Sequence, residues 1–177
     1  MAFFDAFPSI DVTYTIKTDS GPIIATIQDL TTNVGMIITP TDMDIMCFRY
    51  TIKDGELPQN LSQRFYNSPD YDWTILYINS IFNLNTDWPI SQLNLLDYVS
   101  NKYGAANINN VNCYMKIPEN VVMDQSFIVS NYGSQYAVPM TNYQWEEWVN
   151  EQNRYIYIIK AENISTFVQK FTAAVLS

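Results

Sequence analysis

Polar and apolar residues alternate from Ile10 to Lys17, with Ile10, Val12, Tyr14 and Ile16 on one side, which is the period of a half-buried strand. "TDSGP" turns the chain, and Ile23, Ala25 and Ile27 supply a second alternating run, the expected hairpin partner. "TTNVG" and "TPTDMD" carry turn chemistry. Residues 1–44 are therefore expected to form a β-rich N-terminal arm that packs poorly without partners. "IMCFRYTIK", Ile45 to Lys53, reads as a strand stopped by Asp54-Gly55.

Helical spacing follows. Pro58 stands where a first helical turn tolerates it, because its missing N–H would have no partner there anyway. Leu57, Leu61 and Phe65 recur at four-residue spacing as one apolar stripe. "NSPD" breaks that helix and Pro69 restarts it. In "DWTILYINSIF", Trp73, Leu76, Tyr77 and Ile81 share one face while Ile75, Ile78 and Phe82 occupy another, so this helix is expected to be buried on most sides. "NLNTDWP" is a loop. Ser91 then caps a third helix carrying Leu95, Val99 and Tyr103, with Leu96 alongside, and Gly104 stands at its C-terminus.

Residues 111–140 alternate short β-like runs ("VNCYMKI", "SFIVS") with turn residues, and their pairing is open. "NYQWEEWVNEQN" places Trp145, Trp148 and Val149 on one helical side and so leaves Glu146 and Glu147 facing water. "RYIYIIK" is a strand. The closing helix bears a stripe of Ile164, Phe167, Val168, Phe171 and Val175, capped by Asn163. Strands and helices in this order predict an α+β fold, divided as an arm (1–44), a helical module (45–104) and a mixed β/α part (105–177).

Composition narrows the function. Hydrophobic residues make up 47% of the 177 and charged residues only 15%, below the ~25% of an average soluble protein. Asn, Thr and thirteen Tyr supply the polarity instead. Such groups are cheaper to desolvate than Lys or Glu, which suits a face buried against another protein. The net charge of −9 and the absence of any basic run argue against nucleic acid and against an anionic membrane surface. The N-terminus lacks the basic and apolar regions of a signal peptide, and no apolar run approaches the ~20 residues of a membrane span. Cys47 and Cys113 are single and distant, so reduced, buried thiols are expected ahead of a disulfide.

No catalytic set emerges. The chain has no His, which removes imidazole triads, metal sites and proton shuttles. Two lone Cys make no zinc motif, and five Gly leave no phosphate-cradling loop. Asp70/Asp72 and Glu146/Glu147 are the closest carboxylate pairs for acid–base work on a glycan. Asp70 and Asp72 fall in a first helical turn, where negative charge complements the dipole. Asp42 and Asp44 lack the further ligands of a calcium loop. Neither an enzymatic activity nor a cofactor is expected. Among the aromatics, Trp73, Tyr77, Trp88 and Tyr98 are the candidates for stacking on sugar. Helical spacing makes Trp73 and Tyr77 core residues first, while Trp88 stands between loop anchor and contact residue.

The stretch "YTIKDGELPQNLSQRFYNSPDYDWTILYINSI" resembles the LysM pattern of strand, Gly-containing turn, helix, break and second helix, with Asn79 near its end. Extended to "…FNLNTDWPIS…LLDYVSNKYG", it resembles the LysM-like baseplate wedge subunit family of contractile-tailed, T-even-type bacteriophages. Tyr66, Trp73, Trp88, Pro89, Ser91, Lys102, Tyr103 and Gly104 stand at that family's motif places, and "NEQNRYIYIIKAENISTFVQKF" resembles its closing strand and helix. About half the chain is covered. The resemblance implies a LysM-like strand–helix–helix module extended by a third helix, in a non-enzymatic virion protein. Its implied partners are other wedge proteins (sheath-initiator-like and wedge-core subunits) and neighbouring wedges. Phe65, Tyr66, Trp73, Tyr77, Trp88, Tyr103, Phe167 and Phe171 are the packing and interface candidates. The alternative is a LysM-type binder of cell-wall glycan. One departure stands out: a LysM domain closes with a second strand soon after its second helix, whereas here another helix follows.

Overall fold

The structure, a computed structural model of the chain, describes residues 3–14, 23–28 and 40–175. In chain order its main elements are β1 (Ser9–Tyr14), β2 (Ile23–Gln28), α1 (Pro40–Met46), β3 (Cys47–Thr51), α2 (Pro58–Tyr66), α3 (Asp72–Ile78) and α4 (Gln92–Tyr103). They continue with β4 (Val111–Lys116), β5 (Val121–Met123), α5 (Gln125–Tyr132), β6 (Ala137–Thr141), α6 (Asn142–Gln152), β7 (Tyr155–Ile159) and α7 (Ile164–Val175). The fold is α+β. It packs as two units, one of residues 1–50, 56–82 and 156–177, the other of 51–55 and 83–155. These units cut across the three consecutive segments expected from the sequence, because the chain leaves the first unit after Phe82 and returns to it at Ile156.

In the first unit β1 and β2 pair antiparallel, from Ser9 with Gln28 to Tyr14 with Ile23. The "TDSGP" and "TTNVG" turns lie outside the described residues. "TPTDMD" differs from its expected turn: from Pro40 onward it is the helix α1, whose Met43 and Met46 pack on the core. Ala6 and Phe7 are buried as well, Phe7 with its ring edge-on to Phe171 at 6.5 Å, so this part of the arm does share a core.

Strand β3 pairs with β7, distant in sequence. Ile52 N donates to Arg154 O (2.9 Å) beyond one end and Lys160 N to Met46 O (2.8 Å) beyond the other, so the two strands run antiparallel. Helix α2 begins at Pro58 and stops at Asn67, whose φ of 57° is left-handed. Ser68 then accepts from Asp70 N and a 3-10 turn leads into α3. Helix α3 is shorter than its apolar pattern predicts. Its C-terminal Asn79 bonds back to Ile75 O and Ser80 takes φ 55°, which turns Ile81 and Phe82 out of the helix and leaves Phe82 89% exposed. Helix α7 lays Ile164, Phe167, Val168, Phe171 and Val175 into the core with Trp73, Ile78, Cys47 and Ile159, as its stripe predicts.

The second unit contains an antiparallel sheet in the order β5-β4-β6. "SFIVS" is helical rather than β-like: it lies in α5, where Asp124 accepts hydrogen bonds from Ser126 N and Phe127 N and so caps a helix that β-branched composition alone disfavours. Leu95 and Val99 of α4 are fully buried, while Leu96 faces out. The short segment 51–55 is held by Arg154, a buried side chain that donates to Ile52 O and Asp54 Oδ1 (3.2 Å each) and pairs with Glu151 (3.1 Å). Among the described residues no helix is long and apolar enough to cross a membrane.

Candidate functional site

Five of the eight residues singled out from the sequence meet in the core of the first unit. Trp73 lies 4.7 Å from Phe171 and 6.1 Å from Phe167, ring centroid to centroid, and Tyr77 stands edge-on to both at 5.1 and 6.2 Å. Edge-to-face and tilted packing at these distances is the favourable arrangement for aromatic rings. Tyr66 packs on Tyr71 and donates its hydroxyl to Ile159 O at 2.9 Å, fastening α2 to the end of β7. Burial raises the Tyr66 and Tyr77 hydroxyls above the ordinary phenol range. Phe65 stands apart from this cluster, edge-on to Phe48 (5.3 Å) and Tyr50 (5.5 Å) of β3. Nearby, Glu56 joins Arg64 and Tyr50 at 2.6 and 2.8 Å.

Asn79 joins the two ends of this unit. Its Nδ2 donates to Ile75 O and Tyr157 O, and its Oδ1 accepts from Tyr157 N, each at 2.8 Å. The amide thus pairs with Tyr157 as a neighbouring strand residue would. The unit reads β3, α2, α3 and then β7, a strand–helix–helix–strand order interrupted between α3 and β7 by residues 83–154.

Trp88 and Tyr103 belong to the second unit. Trp88 is buried and lines a small cavity with Ile90, Leu95, Val149 and Asn150, which makes it a loop anchor. Tyr103 donates its hydroxyl to Glu146 Oε1 at 2.6 Å, and Lys102 Nζ reaches the same oxygen at 2.9 Å. The bond to Glu146 is the chief cause raising the Lys102 ammonium; burial first, then Glu146, raises the Tyr103 hydroxyl.

Helix α6 is turned the other way from its expected orientation. Glu146 is buried, not solvent-facing, while Trp145 and Trp148 are only half-buried and stack on each other at 5.4 Å. The buried stripe of α6 is polar: Asn142, Glu146 and Asn150, one per turn. Each is satisfied. Asn142 donates to Asn107 O and accepts from Asn112, Glu146 takes Lys102 and Tyr103, and Asn150 pairs with both Ile90 N and Ile90 O. A polar stripe with all its bonds made can be buried at little net cost. Trp148 is thereby left toward an open groove.

That groove, about 540 Å³, lies between β6 and α6. The β4–β6 register places Met115, Val138 and Met140 on one face of the sheet. With Pro139 and Trp148 they line it, and Gln92, Gln144, Glu147 and Glu151 complete it. Ile117 N donates to Tyr136 O, so the Met115–Val138 pair is hydrogen-bonded, the Tyr114–Pro139 pair is not, and the Pro139 nitrogen faces the open edge of the sheet.

Among the described residues no three His, Cys, Asp or Glu gather as metal ligands. Cys47 and Cys113 are free thiols; burial pushes Cys47 up to about 11. Large apolar side chains also stand in water elsewhere, including Leu93 (89% exposed) on α4 and Phe127 on α5. No family model matches this chain, and no curated protein matches it.

Proposed function

We propose that this chain is a non-enzymatic structural subunit of a bacteriophage contractile-tail baseplate wedge, docking on other wedge proteins and helping to join neighbouring wedges into the ring. It would reside in the virion after synthesis in the host cytoplasm. The observation that carries this reading is the interrupted strand–helix–helix–strand unit. The sequence resemblance implies a LysM-like module, and what supports it is the antiparallel pairing of β3 with β7, with Asn79 joining α3 to that strand, which gives the unit a second strand after its second helix. Residues 83–154 stand between α3 and that strand. Such a subunit acts by holding geometry, through apolar and aromatic surfaces that cost little to desolvate.

The glycan-binding alternative is less well supported. Trp73 and Tyr77, the rings of the module best suited to stack on sugar, are engaged with Phe167 and Phe171 of α7, and Trp88 is buried. Co-expression with neighbouring tail genes, followed by size-exclusion chromatography, tests the choice. A stable hetero-complex and no saturable retention on peptidoglycan are expected. Elution alone, together with saturable murein binding, would overturn the proposal in favour of the alternative.

A further inference from the structure

We propose that the groove between β6 and α6 receives a segment of a second protein in which a large apolar side chain is flanked by lysine or arginine. The inference rests on reading the chain as a protein-docking subunit and names the chemistry of one partner.

The floor selects the apolar part. Met115 and Met140 offer polarisable, adaptable thioethers, and Trp148 adds a flat ring backed by Trp145 at 5.4 Å. Met115 and Met140 face the groove by the β4–β6 register, and Trp148 faces it because α6 spends its buried side on Asn142, Glu146 and Asn150, an inversion of the usual helix. The rim selects the charge. Glu147 and Glu151 stand four residues apart on the same helix, a like-charge spacing that a cationic partner relieves. Glu151 is already joined to Arg154, whereas Glu147 is exposed and has no ion pair among the described residues.

Other occupants fit less well. A small molecule is expected to meet convergent polar groups within a cavity, but here the charged groups belong to the exposed rim. Strand addition along the β6 edge is blunted by Pro139, whose nitrogen offers no donor there, so recognition runs through side chains. A second copy of this chain brings its own net charge of −9 and is repelled at long range.

The test pans a random twelve-residue peptide display library on the full-length chain, with Glu147→Lys as counter-selection. Enriched peptides should carry a large apolar residue between Lys or Arg. Their affinity should fall about fivefold to tenfold on Glu147→Lys and decline with added salt. Methyl NMR should show saturable shifts at Met115 and Met140, and Trp148→Ala should weaken binding at unchanged secondary structure. Absence of enrichment, enrichment of peptides without basic residues, binding indifferent to Glu147→Lys, or self-association that perturbs the Met115 and Met140 methyls would each overturn the inference. If the library fails while the chain still assembles with neighbouring tail proteins, only this groove is refuted. Failure of both refutes the docking reading as well.

Discussion

Replacing Asn79 tests whether β7 truly closes the module. The side chain makes three hydrogen bonds at 2.8 Å, two to Tyr157 and one to Ile75. At about 0.5–1.5 kcal/mol net for each bond, Asn79→Ala should destabilise the chain by roughly 2–4 kcal/mol. Asn79→Asp keeps an acceptor for Tyr157 N but turns a carboxylate onto the carbonyl oxygens of Ile75 and Tyr157. It should therefore cost more than alanine at pH 7. That repulsion raises the introduced carboxyl's folded-state pKa above its unfolded value of ~3.9. Its protonated form then contributes stability that is fully present below that unfolded value and lost as pH rises through the folded one. The deficit of Asn79→Asp relative to the parent should accordingly shrink on acidification. Urea unfolding gives the stability change, and hydrogen exchange at the Tyr157 amide gives the local one. A Tyr157 amide as protected in Asn79→Ala as in the parent, with a stability change under about 1 kcal/mol, would refute the claimed closure.

Phe171→Ala, which removes a fully buried ring packed on Trp73 and Tyr77, should cost about 3–5 kcal/mol in urea titrations, whereas Leu93→Ser on the exposed side of α4 should stay within about 0.5 kcal/mol. Near-equal effects would mean that the core is wrongly assigned. Stability should fall as pH rises past ~10, because the Tyr66, Tyr77, Tyr103 and Lys102 pKa values are all raised in the folded state. Protonation stabilises the fold below the unfolded values and is lost above them, and Glu146→Gln should flatten this alkaline slope in circular-dichroism melts. Thiol labelling of the native chain should reach half-buried Cys113 before Cys47, whose buried thiol is raised to about 11. Faster labelling of Cys47 in mass-spectrometric peptide maps would contradict its burial.

Stretches with strong periodicity were legible. The stripe of α7 and Pro58 at the head of α2 each set a local structure that the packing then uses, and the alternating runs at β1 and β2 are two paired strands. The closure of β3 by β7 was not legible, because the pairing of Cys47–Thr51 with Tyr155–Ile159 spans an insertion and no local pattern encodes such a partner. Helix α6 misled for a different reason. Hydrophobic periodicity assumes that the apolar side goes inward, but Asn142, Glu146 and Asn150 find partners in Asn107, Lys102, Tyr103 and Ile90 that let polar groups be buried at little net cost. A signal was present nonetheless. Thr141 and Gln144 form a capping box, and counting from it puts an Asn, a Glu and an Asn at four-residue spacing on one face. Most of the rings named as packing or interface candidates take part in internal packing, the role that helical spacing gives Trp73 and Tyr77 first. The α6 groove depends on the sheet register and the inverted helix together, which no local pattern encodes.

The central claim is that this chain serves as a docking subunit within a tail assembly. Cross-linking mass spectrometry on purified, intact host particles tests it most directly. The account predicts cross-links from exposed lysines of this chain to other baseplate proteins at positions compatible with a single ring. A particle that lacks the chain, or contains it without any link to another tail protein, would contradict the account.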